Sequence, residues 1–125
     1  MAAPRLTLNR SQRLKQSRDF SRVRAAGRRL VHGCLIANWQ PLPPGSPSHL
    51  GIVTSGKIGN AVVRNRTRRR LKEAARLELA EHLVSDVDLV LIGREATRTR
   101  PFLDLRDDLR RALRKAGVDT TIRLP

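Results

Sequence analysis

The chain has 125 residues, with 26 Lys+Arg against 11 Asp+Glu, so its formal net charge is +15. This length suits a single domain over residues 1–125, of which we expect 1–10 to be flexible. No apolar run approaches the roughly 20 residues that span a bilayer, which excludes an integral membrane protein. The lone cysteine, Cys34, excludes an internal disulfide. Without a secretory signal pattern we expect a cytoplasmic protein, and the charge points to a nucleic-acid partner.

The apolar spacing and the placing of Gly, Pro and Ser predict six helices and strands. In chain order they are a helix over 17–26, strands over 33–40 and 50–55, a long helix over 61–84, a strand over 87–93 and a helix over 103–116. The stretches 41–49 and 95–102 are predicted to be loops, and Ser17 and Asn60 are predicted helix caps. This order favours an α+β or α/β sandwich with a small sheet partly covered by helices.

The positive charge is confined to the first part of the chain. Residues 1–72 hold 16 basic residues and one acidic residue, and residues 73–125 hold 10 of each. A solvated surface usually mixes both signs, as the second part does. A basic disordered arm on a neutral domain is the alternative, but apolar patterns continue through the basic part and favour a folded cationic surface.

The long predicted helix combines an apolar stripe with a cationic remainder. At about 100° per residue, the stripe that can pack on the sheet contains Val63, Thr67, Leu71 and Ala74. The opposite face carries Asn65, Arg69, Lys72 and Arg76, with Arg66 and Arg70 on one flank and Arg64 and Arg68 on the other. Because like charges four residues apart repel, so many cations indicate phosphate partners. A solvated helix face is the alternative.

The sequence contains no convincing catalytic or metal-binding set. Its histidines are scattered, without the spacing of metal ligands. Cys34 lies in a predicted strand and suits the core better than the role of a nucleophile. Asp86 and Asp88 at a strand entry offer one conceivable Mg2+ site, although aspartates are common there. The start of the long helix at Asn60 is either an anion site or an ordinary cap.

Aromatic residues are few, namely Phe20, Trp39 and Phe102. A broad stacking platform for bases is therefore not available. Phe20 and Trp39 lie in the basic part, where each suits the core better than stacking. We expect recognition of nucleic-acid backbone and shape with little reading of sequence.

The run KIGNAVVRNRTRRRLKEA (57–74) resembles the signature of the protein subunit of bacterial ribonuclease P. Within it, residues 64–66 match the Arg-Asn-Arg motif of that family, and RLKQSRDFSRV (13–23) is similar to its opening helix. The resemblance covers roughly residues 10–116. It implies an α-β-β-β-α-β-α sandwich with a four-stranded sheet, the ribosomal-protein-S5-domain-2-like fold, and adds a strand near Leu30–His32. It also implies a left-handed β-α-β crossover, where general rules favour a right-handed one.

The resemblance further implies a protein cofactor that works with a catalytic RNA to cut the 5′ leader from precursor tRNA. The RNA would carry the chemistry and hold Mg2+, while the protein would have no catalytic residue, metal site, small-molecule substrate or membrane contact. The residues implied to bind the catalytic RNA are Lys57, Asn60, Arg64, Asn65, Arg66, Arg68, Arg69, Arg70 and Lys72. Those implied to bind the leader, in a cleft between the first helix and the sheet, are Arg13, Lys15, Phe20, Arg24, Asn38 and Trp39.

The sequence departs from the family at two positions of the implied leader cleft. Arg24 stands where the family often has a second aromatic residue, and Asn38 stands where a strand aromatic is common. Leader binding would then depend more on charge and less on stacking.

Composition alone leaves three other functions open. One is a structural RNA-binding protein of ribosome or ribonucleoprotein assembly, and another is a DNA-binding protein. The third is a stand-alone nuclease with a metal on Asp86 or Asp88. The motif at 57–74 separates the ribonuclease P subunit from the structural RNA-binding protein. A strong preference for the partner RNA would exclude the DNA-binding protein, and cleavage that survives substitution of Asp86 and Asp88 would exclude the nuclease.

Overall fold

The computed structural model describes residues 17–44, 49–81 and 87–117. Its elements are helix α1 (Ser17–Ala26), strands β1 (Arg28–His32), β2 (Leu35–Pro41) and β3 (His49–Thr54), a 3-10 turn (Gly56–Ile58), helix α2 (Ala61–Glu81), strand β4 (Val87–Gly93), and helices α3 (Glu95–Thr99) and α4 (Phe102–Ala116). The α-β-β-β-α-β-α order is confirmed, with the short helix α3 added. The predictions for residues 1–10 and 82–84 lie outside the described residues.

The four strands form one sheet in the order β1-β2-β4-β3. β1 and β2 form an antiparallel hairpin in which Arg28 pairs with Trp39 and His32 pairs with Leu35. β4 lies antiparallel to β2 and parallel to β3. α2 therefore joins two parallel neighbouring strands as a crossover. The left-handed sense of that crossover stays a prediction.

Alternation along the strands gives the sheet two different faces. Leu35, Ala37 and Trp39 of β2 belong to the main hydrophobic core, together with residues of α2 and α4. Asn38 and Gln40, which alternate with them, point to the other face. α2 and α4 thus cover one face of the sheet, and the second face is left for α1.

α2 packs on the sheet through its predicted stripe. Thr67, Leu71 and Ala74 are completely buried, and Val63 is half-buried. The Thr67 hydroxyl donates a hydrogen bond of 2.9 Å to the Val63 carbonyl, which satisfies the one polar group of the stripe. Beyond the stripe, the buried carboxylate of Glu78 accepts hydrogen bonds from two arginines of α4. The two helices that cover this face are therefore joined by both apolar packing and charge.

The first predicted strand, over 33–40, begins two residues too early. Gly33 and Cys34 instead form the turn between β1 and β2. Gly33 has a φ of 56°, and a Cβ there would lie 2.4 Å from the carboxyl carbon of Asp108. Only glycine suits this conformation and this space. The next strand covers 49–54 rather than 50–55.

The predicted loop over 95–102 is wrong, because it contains α3 and the first residue of α4. Five residues with two threonines carry little helix propensity. Contacts from elsewhere hold this turn in place. The Arg94 N–H donates to Thr97 Oγ1 at 2.9 Å, and the Thr97 hydroxyl donates to the Cys34 carbonyl. Arg70 of α2 binds carbonyls at the other end of α3. The helix thus depends on tertiary contacts that no local pattern reveals.

Candidate nucleic-acid interface

The outer side of α2 and the turn before it carries a dense set of polar and cationic side chains. Exposed members are Lys57, Asn60, Asn65, Arg66, Arg68, Arg69 and Lys72, and half-buried members are Arg64 and Arg70. Among the described residues, no carboxylate lies within 4.0 Å of any of these cationic groups. Arg76, one turn beyond, is by contrast paired with Glu73 at 2.5 Å. The unneutralised charge is therefore concentrated in the first half of the helix.

Asn60 is the N-cap of α2, as predicted. Its Oδ1 accepts a 3.0 Å hydrogen bond from the Val63 N–H, and its carbonyl accepts one of 2.9 Å from the Arg64 N–H. Gly59 before it has a φ of 154° and a ψ of −161°, a backbone region that is nearly restricted to glycine. The side-chain oxygen of Asn60 is thus engaged by the fold, while Asn65, Arg66 and Arg69 beyond it are exposed.

Two cations of the predicted RNA-binding set bind groups of the fold. Arg68 donates one hydrogen bond, of 3.3 Å, to Thr54 Oγ1, and Arg70 donates to three backbone carbonyls. Nη1 of Arg70 donates to the carbonyls of Thr97 at 2.9 Å and Arg98 at 2.6 Å, and its Nη2 donates to the carbonyl of Arg100. Its guanidinium therefore lies between α2 and the end of α3. This geometry leaves Arg70 less free to contact RNA than its neighbours on the helix.

α1 lies on the sheet face opposite α2, where it is anchored by Arg22. Arg22 donates to Asp88 Oδ2 at 2.7 Å and to the side-chain oxygen of Gln40. On the other side, His49 Nδ1 donates to Asp88 Oδ1 at 2.8 Å. Both oxygens of this carboxylate, which is 3 % exposed, are therefore engaged within the fold. That disfavours Asp88 as the metal ligand of a stand-alone nuclease, and Asp86 lies outside the described residues.

The structure brings together only part of the predicted leader-binding set. Phe20 is half-buried and Arg24 is exposed one turn later on α1. Asn38 lies on the sheet face that α1 occupies, but it is 4 % exposed, and its buried Oδ1 has no hydrogen-bond partner. Placing Trp39 in the cleft is wrong, because successive strand residues point to opposite faces and Trp39 lies in the main core. The remaining two members, at positions 13 and 15, lie outside the described residues.

Cys34 is a buried structural residue, as expected. Burial raises the pKa of its thiol to about 11, and the hydrogen bond and charge of Asp108 add to that rise. Asp108 accepts hydrogen bonds from the Cys34 N–H at 3.1 Å and from Arg100 Nε at 3.0 Å. Burial opposes ionisation of Asp108, but these hydrogen bonds outweigh it and hold its pKa below the ordinary value. A pKa this high favours the protonated thiol at neutral pH, in agreement with a structural role.

Two features near the interface have no counterpart among the sequence predictions. One is the Arg22 anchor of α1, which no local pattern distinguishes from the other arginines of that helix. The other is α3, which adds exposed arginines at positions 94, 98 and 100. The sequence does contain a signal for the cations near α3. Residues 94–100 hold three arginines and one acid within a part of the chain that is neutral overall.

Within the described ranges, no three His, Cys, Asp or Glu side chains come close enough together to hold a metal ion. In the same ranges, no helix is both long enough and apolar enough to cross a bilayer. The functional groups that these ranges expose are mainly the arginine and lysine side chains on α2, α3 and α1.

Comparison with known proteins identifies one family. The family model described as Ribonuclease P matches residues 8–117. A ribonuclease P protein component from Gluconacetobacter diazotrophicus is 47 % identical over 110 residues, which cover 88 % of this chain and 95 % of that protein. The RNase P protein of Staphylococcus aureus has a solved structure that matches with a TM-score of 0.74 at 26 % identity, over 86 % of this chain and 97 % of the other. That of Thermotoga maritima matches with a TM-score of 0.71 at 27 % identity, over 82 % and 96 %.

Proposed function

The chain belongs to the ribonuclease P protein family, and we propose that it is the protein cofactor of a ribonucleoprotein that removes the 5′ leader of precursor tRNA. In this role the protein binds a catalytic RNA and assists an endonucleolytic reaction that the RNA carries out. The observation that supports the role most strongly is the set of exposed, unneutralised cations in the first half of α2. This set lies on the motif that resembles the family.

The outer side of α2 is the proposed binding surface for the catalytic RNA. It offers six cations that are free of carboxylates: Lys57, Arg64, Arg66, Arg68, Arg69 and Lys72. Each phosphate contact contributes about 0.7–0.9 to the slope of log affinity against log salt, so six contacts give a slope of about −4 to −5. Asn65 lies among these cations and can add hydrogen bonds to sugar or base edges.

The leader of the precursor tRNA is proposed to bind on the other face of the sheet, beside α1. Phe20 supplies one aromatic surface and Arg24 a cation, and Asn38 lies on the sheet face that α1 covers. The catalytic RNA and the leader would then contact opposite sides of one thin domain. A cation-rich domain between two polyanions lowers their mutual repulsion, which explains why the protein assists without contributing catalytic groups.

The reaction is expected to need Mg2+, and the described residues do not form a site for it. Asp88 has both oxygens engaged, by Arg22 and His49. Exposed carboxylates such as Glu73 and Asp107 are paired with arginines on their own helices. We therefore place the metal ions with the catalytic RNA and assign no step of the reaction to a metal held by these residues.

A salt titration of binding to the catalytic RNA tests the proposed α2 surface. The double variant Arg66→Gln/Arg69→Gln should flatten the slope by about 1.4–1.8, because two phosphate contacts are lost. The control Arg111→Gln/Arg114→Gln removes the same charge from α4, on which both residues are exposed. It should leave the slope within about 0.3 of the unaltered protein. Equal flattening by both variants would mean that net charge and not α2 determines binding.

A further inference from the structure

α3 is held firmly against the cationic part of α2 and against the turn before it. Arg70 of α2 binds the carbonyls of Thr97, Arg98 and Arg100, which lie at the C-terminal end of α3. Arg98 in turn reaches back and donates from Nη1 to the Ile58 carbonyl at 3.3 Å. α3 is thus joined to both segments that flank the start of the proposed RNA surface.

The bonds that hold α3 in place neutralise none of the charge around it. The guanidinium groups of Arg70 and Arg98 bind backbone carbonyls, and no carboxylate pairs with them among the described residues. Arg94 is exposed and likewise has no carboxylate partner there. Arg100 is different, because the Asp108 carboxylate binds it at 3.0 Å. Arg94 and Arg98 therefore remain as free cations on α3, with one exposed acid, Glu95, beside them.

Holding α3 beside α2 brings like charges together. Arg66 lies one turn before Arg70 on the same flank of α2, the flank that faces α3. Lys57 lies next to Ile58, where the Arg98 side chain ends. In water alone this arrangement is unfavourable, since unneutralised cations repel. A polyanion that runs across both helices would neutralise them together.

We propose that the surface for the catalytic RNA continues from α2 onto α3, with Arg94 and Arg98 as additional phosphate contacts. Arg70 is then a positioning residue, which fixes α3 in place and does not itself bind RNA. The inference rests on the proposed function, because it extends the same binding surface. A short helix from the electrically neutral part of the chain thereby contributes to RNA binding.

The salt dependence of binding to the catalytic RNA alone, without precursor tRNA, tests this extension. Arg98→Gln should flatten the slope of log affinity against log salt by about 0.7–0.9. Over a fourfold rise in salt concentration, the affinity of the unaltered protein should then fall by a factor that is about three times larger than the factor for the variant. The control Arg114→Gln removes the same charge from an exposed position near the end of α4, about 18 Å along that helix from its start. Its slope should match that of the unaltered protein.

Arg70→Lys tests the positioning role, because lysine keeps the charge but cannot bind several carbonyls with a planar fork. If α3 loses its fixed position, this variant flattens the slope about as much as Arg98→Gln does. Adding Arg98→Gln to Arg70→Lys then changes the slope little further, which is the non-additivity expected of a positioning residue. Thermal unfolding and circular dichroism confirm that each variant is folded at the assay temperature.

Three results would overturn the extension. The first is a slope for Arg98→Gln equal to that of Arg114→Gln, and the second is an additive effect of Arg70→Lys and Arg98→Gln. The third is an effect of Arg98→Gln seen with precursor tRNA and absent with the catalytic RNA. In each case a steep slope of the unaltered protein, flattened by the α2 double variant, would still support the proposed function. A shallow slope of the unaltered protein would instead refute the proposed function itself.

Discussion

Replacing Asp88 by Asn should loosen the attachment of α1 to the sheet without removing a catalytic group. The carboxylate accepts from Arg22 at 2.7 Å and from His49 at 2.8 Å, and its side chain is 4 % exposed. The amide keeps one acceptor and turns the other into a donor. Since arginine has no acceptor to offer while the imidazole can change tautomer, we expect the amide nitrogen to face His49.

The size of the effect follows from these bonds. The Arg22 hydrogen bond persists but loses the charge of its acceptor, and the His49 bond becomes a neutral pair. Hydrogen bonds to charged groups contribute about 1.5–3 kcal/mol and neutral ones about 0.5–1.5 kcal/mol. With some cost for reorienting buried groups, the free energy of unfolding should fall by about 2–4 kcal/mol. At about 4 °C per kcal/mol for a domain of this size, Tm should fall by about 8–16 °C.

Calorimetry and cleavage assays together decide the role of Asp88. The matched control is Asp107→Asn, because Asp107 forms an exposed pair with Arg111 at 3.0 Å within one helix. Such a pair contributes less than about 1 kcal/mol, so the Tm of that variant should change by only a few degrees. Well below its Tm and at saturating precursor tRNA, the Asp88→Asn protein should still support cleavage by the catalytic RNA. An unchanged Tm would refute the anchor, and loss of cleavage by folded protein would show that Asp88 has a part in the reaction.

Three further predictions concern the fold around the interface. Cys34, whose pKa burial raises to about 11, should react with iodoacetamide at pH 8 only after unfolding; rapid alkylation of the native protein would contradict this. The depressed pKa of Asp108 stabilises the fold above its ordinary titration range, and that stabilisation is lost as the pH falls through the folded pKa. Asp108→Asn should therefore lower the free energy of unfolding at pH 7, and below about pH 4 this free energy should fall less steeply than in the unaltered protein. Urea titrations at several pH values measure both effects, and parallel curves for both proteins would contradict the pairing with Arg100. Gly59→Ala should lower the free energy of unfolding by more than 1 kcal/mol, because a Cβ would lie 3.0 Å from the side chain of Val63 and the backbone region is unfavourable; an unchanged midpoint in urea would contradict that reading.

The sequence predicts those parts of the fold that depend on local patterns. α2 shows the agreement best, because the spacing of Thr67, Leu71 and Ala74 alone identifies the face that is buried. The first helix and β4 also have their predicted bounds, since apolar spacing and glycine limit them. β1 is different: it came from the family resemblance, because two arginines in a five-residue edge strand leave almost no apolar alternation.

Features that depend on distant contacts could not be predicted. α3 exists because Arg70 and Thr97 bind groups far away in sequence, and five residues cannot form a stable helix alone. The same limit applies to the site. The cations of α2 follow from a helical wheel, whereas the special position of Arg70 depends on an element that the sequence pattern assigns to a loop.

For Trp39, reasoning from the residues favours the core, whereas the family resemblance implies a place in the leader cleft. The structure agrees with the first of these, because Trp39 alternates with Asn38 along β2 and packs in the main core. A shift of one residue exchanges the two faces of a strand. The position of α1, fixed by Arg22 and Asp88, shows which face of the sheet this helix covers.

Cleavage of precursor tRNA at low Mg2+ tests whether the protein acts as the cofactor of a catalytic RNA. Four mixtures are compared: no macromolecule, protein alone, catalytic RNA alone, and protein with catalytic RNA. We expect the rate to rise only when both are present, and the product to carry the mature 5′ end. Cleavage by the protein alone would instead show a self-contained nuclease, and a protein without effect in any mixture would contradict its assignment as a ribonuclease P cofactor.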